Sequence, residues 1–120
     1  MAQVRIDGTV HRLPSSAVTA SRHARKVLAD VVERIGPLRN RAIFIGARAP
    51  HAQTAAERQM LLAECREIGG IIQLTRTELI VRLMDVPRAV AGHSRVLDIE
   101  KSLDSLERGL AETRAALGGD

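Results

Sequence analysis

The sequence predicts a mainly α-helical protein with a short β segment at its N-terminus and a helical tail at its C-terminus. Three observations carry this prediction. Gln3-Val4-Arg5-Ile6-Asp7 alternates polar and apolar residues, the period-two mark of a half-buried strand. From about Ala17 to Ile35 the pattern is helical, with Val27, Leu28, Val31, Val32 and Ile35 on one face. Val96, Ile99, Leu103, Leu106, Leu110, Thr113 and Leu117 recur at alternating steps of three and four, a seam that packs on a neighbouring helix.

The elements follow in order. Asp7-Gly8 is a turn signal, and Thr9-Val10-His11-Arg12-Leu13 is a second strand or a continuation of the first past a bulge. Pro14-Ser15-Ser16 stops it and offers a helix cap, and Gly36-Pro37 is expected to end the helix that follows. Asn40 can cap a short second helix through Arg48, although Ile43-Phe44-Ile45 equally suits a buried strand. Ala49-Pro50-His51 breaks the chain. Thr54 with Glu57 forms a capping box for a third helix, which Gly69-Gly70 either breaks or kinks before it runs on to the Asp85-Val86-Pro87 stop. A loop through Gly92-His93-Ser94 leads to the seamed last helix.

Charge divides the chain. Residues 1–60 hold ten Lys+Arg against four Asp+Glu, whereas residues 61–120 hold eight against ten, so +6 and −2 give the net +4. We therefore expect a basic region over residues 1–49 and a helical partner or oligomerisation region over 50–120, the first suited to a polyanion and the second to protein contacts. The basic residues are almost all Arg, which suits bidentate phosphate and guanine contacts, though a GC-rich coding sequence gives the same bias. Phe44 is the single aromatic residue, which argues against modules that stack bases on exposed rings. A core without rings is thin for a monomer and favours burial across an oligomer interface.

Several chemistries have no footing in the sequence. His11, His23, His51 and His93 fall in no zinc-like spacing with each other or with Cys65, so no metal is expected. Gly69-Gly70 lacks the strand and the third glycine of a dinucleotide fingerprint, and no nucleophile elbow is present. We expect no enzyme activity and no cofactor. No apolar run reaches the roughly 18–20 residues of a membrane span, and the N-terminus has no hydrophobic signal region, so a cytoplasmic protein without a membrane partner is expected.

The order strand, helix ending at Gly36, short turn and helix capped at Asn40 resembles a ribbon-helix-helix DNA-binding domain. The stretch Gly36-Pro37-Leu38-Arg39-Asn40-Arg41-Ala42 stands where that family has its Gly-x-Ser-x-Ser-x-aromatic stretch, with Asn40 in place of the capping Ser and Ala42 at the aromatic position. The resemblance implies a homodimer whose paired strands enter the major groove of double-stranded DNA. Either Gln3 and Arg5 or Thr9 and His11 would face the bases, with Arg12 beside them. Asn40 and Arg41 would hold a phosphate at a helix N-terminus. Arg66-Glu67-Ile68-Gly69-Gly70-Ile71-Ile72-Gln73-Leu74, Asp85-Val86-Pro87-Arg88 and the Leu-seamed tail are similar to plasmid-mobilisation accessory proteins of the TraJ and MobC types. That family implies binding at a transfer origin in conjugation and recruitment of a relaxase to form a relaxosome. The tail residues Val96, Ile99, Leu103, Leu106, Leu110 and Leu117 would then meet the partner, the alternative being that the seam packs on the chain's own core. Two other readings stay open: a helical adaptor without a DNA role, and a ribbon-helix-helix antitoxin or repressor. A hairpin closed within one chain over Val4–Leu13 would favour the adaptor.

Overall fold

The computed structural model describes the backbone of residues 4–6, 9–11 and 13–119 and the side chains of residues 18–119. Two three-residue strands, β1 (Val4–Ile6) and β2 (Thr9–His11), pair antiparallel, with Arg5 opposite Val10. Helix α1 then runs from Leu13 to Arg48, α2 from Ala55 to Arg82, the short α3 from Arg88 to Ala91, and α4 from His93 to Ala116. The three long helices make an up-down-up bundle within a molecule 75 Å long and about 20 Å across.

One rhythm builds all three contacts. Ala24, Leu28, Val31, Ile35, Leu38, Ala42, Ile45 and Ala49 line the inner face of α1 at steps of four and three. Leu61, Cys65, Ile68, Ile72, Thr75 and Leu79 do the same on α2, and the Val96–Leu117 seam does so on α4. A repeat of 3.5 residues is that of left-handed coiled-coil packing, in which each seam stays against its neighbours along the whole length. Thr75 and Thr113 occupy buried seam positions at no polar loss, because their hydroxyls donate to the carbonyls of Ile71 (2.8 Å) and Gly109 (2.9 Å). Gly46 lets α1 approach α4 closely: a Cβ there would lie 3.4 Å from Thr113 Oγ1.

Ion pairs fix the register. Arg82 meets Asp30 at 3.0 Å, Arg34 meets Glu78, and Arg41 meets Glu67 and Glu64 at 2.7 and 3.0 Å, all between the antiparallel α1 and α2. Arg76 joins α2 to Asp104 and Glu107 of α4 at 2.6 and 2.5 Å. Each half-exposed pair contributes at most about 1 kcal/mol, so burial supplies the stability and the charges choose the alignment. His23 caps the far end of α2, its Nε2–H donating to the Arg82 carbonyl at 2.9 Å.

The ends follow local chemistry. Glu57 N–H donates to Thr54 Oγ1 at 3.0 Å and Gln53 N–H to the Glu57 carboxylate at 3.3 Å, so the expected cap starts α2. Gly69 and Gly70 leave α2 unbroken. Gly92, at φ +89°, takes the left-handed turn between α3 and α4 that other residues rarely adopt.

The chain does not take the ribbon-helix-helix fold followed by a helical tail; a helical bundle takes its place. Gly36 and Pro37 lie inside α1, so there is no strand–helix–turn–helix unit. Pro37 costs its helix about 3 kcal/mol. Ile35 and Leu38 on either side are both buried, and each such side chain contributes about 1.5–3 kcal/mol. Together they outweigh the proline, which sits on the exposed face where the carbonyl it leaves unpaired can meet water. The strands pair with each other in one chain, not across two. Residues assigned to the basic region and to the tail share one core, with α1 from Ala24 onward and Ala49 just after it packed on α2 and α4.

Candidate interaction surfaces

The expected DNA-contacting residues are scattered by this fold. Asn40 and Arg41 lie in the middle of α1, where the backbone N–H groups are already used by the helix, so they offer no phosphate site of the expected kind. Asn40 is exposed. Arg41 is held by Glu67 and Glu64 of α2, and hydrogen bonds to Glu67 first and Glu64 second push its pKa above the ordinary arginine value. Arg5, Thr9 and His11 fall in the two short strands, whose side chains are not described, and Gln3 and Arg12 lie outside the described residues. The tail residues Val96, Ile99, Leu103, Leu106, Leu110 and Leu117 are buried in the chain's own core, so they present no free face to a partner. The seam was real, and its partners are α1 and α2.

Two surfaces remain. The first is basic. Arg22, Arg25 and Lys26 are exposed on α1 toward the end of the bundle from which the N-terminal hairpin leaves, and among the described residues none of them pairs with a carboxylate. They lie one turn from His23, at the level where α2 ends. Three cations on one stretch of helix can hold phosphates by charge, in any order of bases.

The second surface is apolar and was not foreseen. Met60, Ala63, Glu67, Gly70, Leu74, Thr77, Val81 and Met84 are all exposed and again step by three and four, now along the outward side of α2 and into the turn after it. Leu74 is 71% exposed, Met84 68% and Met60 64%, and Ile80, beside this row, is 67% exposed. Large apolar side chains on the outward side of a helix whose inner face is already packed, here set among Arg66, Glu67 and Gln73, call for a second neighbour. The middle of this face is small as well: a Cβ added at Gly69 or Gly70 would meet nothing within 4 Å, so the chain's own packing does not require glycine there. Each mid-helix glycine costs about 0.5–1 kcal/mol against alanine. The signal for this face was in the sequence, since the outward row and the inward row of α2 each keep the three-four step and differ only in phase.

Beside this row, Gly69 and Gly70 open a notch of about 360 Å³ against α4, with Arg66 on one side and Arg114 on the other. Glu107 in the same notch is engaged by Arg76. Arg114 Nε is buried without a hydrogen-bond partner among the described residues. Cys65 lies in the core nearby, and burial pushes its thiol pKa up, which holds it in the unreactive neutral form.

No group of three metal-binding side chains occurs among the described residues, and none of the described helices is long and apolar enough to cross a membrane. Comparison with protein-family models, curated proteins and solved structures finds no match to this chain.

Proposed function

We propose that this protein is a non-catalytic helical adaptor, a rigid bundle that docks a protein partner on the outward face of α2. The observation that supports it is the continuous exposed row from Met60 to Met84, which large apolar side chains dominate and one charge, Glu67, interrupts. Rows of this extent mark binding surfaces on otherwise polar proteins. The hairpin closed within one chain points the same way, because the ribbon of the expected fold is built from single strands of two chains, and here β1 already has β2 as its mate. Affinity purification with the wild-type chain and with Leu74→Arg tests the reading. Proteins recovered with the first and lost with the second are expected; identical recovery would remove it.

Arg22, Arg25 and Lys26, exposed and without a carboxylate partner among the described residues, favour a second reading, double-stranded DNA binding at the basic end. Its most specific form, an accessory protein acting at a transfer origin with a relaxase, is supported by the resemblance of residues 66–74 and 85–88 to mobilisation proteins. Two copies offer about six such cations, so log affinity should fall against log salt with a slope near −5. A flat slope, or no binding at low salt, would remove the DNA reading and leave the adaptor untouched.

A further inference from the structure

We infer that the partner of the α2 face is a second copy of the same chain, docked antiparallel about a twofold axis near Ile72. The inference rests on the adaptor reading and names its occupant. The exposed row is complementary to itself in one arrangement. With the copies antiparallel and Gly70 opposite Leu74 of the second copy, every position of the row finds a suitable mate. Ala63 then meets Val81, Met60 meets Met84, and the Glu67 carboxylate, one oxygen of which already accepts from Arg41, turns the other toward the Thr77 hydroxyl, which can donate to it. Ala63 and Gly70 thus face larger side chains.

Other arrangements lose this match. Parallel copies in register would set Leu74 against Leu74 and Gly70 against Gly70, crowding one level and leaving a void at the next. Sliding the antiparallel pair by one heptad leaves Val81 and Met84 without mates in one direction and Met60 and Ala63 in the other. Full overlap of the row therefore selects the register, and the pairing of small with large side chains selects the orientation.

The exposed fractions of Met60, Leu74, Ile80, Val81 and Met84 amount to on the order of 600 Å² per copy, or about 1,200 Å² per pair, at the lower edge of specific interfaces. Gly70 and Ala63 supply what that modest area needs, since small residues let the two helix axes approach to the short end of the 8–10 Å range. The glycine that nothing inside the chain explains is thereby explained.

Sedimentation of the purified full chain from about 1 to 500 µM, with Leu74→Arg in parallel, tests the inference. Dimers are expected for the wild type. Leu74→Arg should weaken association at least tenfold with unchanged far-ultraviolet circular dichroism, because Leu74 takes no part in the monomer core. Orientation is read by disulfide formation. Ala63→Cys mixed with Val81→Cys should give a cross-linked pair of one chain of each kind, and neither variant should cross-link alone; the buried Cys65 does not compete. A wild-type chain that stays monomeric throughout, a Leu74→Arg chain that still dimerises, or Ala63→Cys cross-linking to itself would each overturn the inference. A monomeric chain that loses a different protein on Leu74→Arg would overturn the second copy alone and leave the adaptor standing.

Discussion

Helices α2 and α4 carry the same inward rhythm and opposite outward chemistry. On α4 the side away from the core holds Asp98, Lys101, Arg108 and Glu112, ordinary solvated charges. On α2 it holds Met60, Leu74, Val81 and Met84. Both helices bury one face in the bundle, and only α4 is finished by doing so. A three-four seam therefore reports that a helix packs on something, while the face behind the seam reports whether the chain has supplied all of its neighbours.

The largest effect should separate inward from outward leucines. Leu103→Ala, at a fully buried position of α4, should lower folding stability by about 2–5 kcal/mol. Leu74→Ala on the outer side of α2 should change the folding of the isolated chain by less than about 0.5 kcal/mol. Urea unfolding at low protein concentration measures both, and a large loss from Leu74→Ala would break the comparison. Pro37→Ala comes next. The residue is outward on α1, and restoring the missing N–H should raise stability by up to about 3 kcal/mol, reduced by the extra freedom given to the unfolded chain. A melting temperature that rises sharpens the view that outward positions answer to backbone propensity alone; a fall would mean that Pro37 holds a contact.

The smallest effect concerns thiols. Cys65 on the inward face of α2 should resist a maleimide in the native protein, while a cysteine introduced by Leu74→Cys should react at once at concentrations low enough to keep the chain monomeric. Burial raises the Cys65 pKa in the folded state. Its contribution to stability is thus complete below the thiol's unfolded pKa and is lost as pH rises through the folded value. Stability that fell toward acid through this group would have the wrong sign. Denaturation curves of the wild type and Cys65→Ser between pH 7 and 10 check this.

Much of the bundle was legible in the chain. The α4 seam, the Thr54–Glu57 cap, the Ala49–His51 break and the Asp85–Pro87 stop all rest on neighbours within a turn or two, which a sequence displays directly. Gly36-Pro37 misled because its local cost is visible and the burial of Ile35 and Leu38 that overrides it is not. Arg41 misled for a related reason. Its neutralising partners, Glu64 and Glu67, lie on another helix, and nothing near Arg41 in the chain announces them. The outward row of α2 was hidden by success, since the inward row accounts for a helix there and a second phase is easily passed over.

One feature of the up-down-up order reaches beyond stability. An odd number of long helices sends the two termini to opposite ends of a molecule 75 Å long. The hairpin and the basic residues lie toward one end, and Leu117 closes against the bundle at the other. Whatever is joined to the two termini is held apart by the length of the bundle, at a separation set by the number of heptads in each helix.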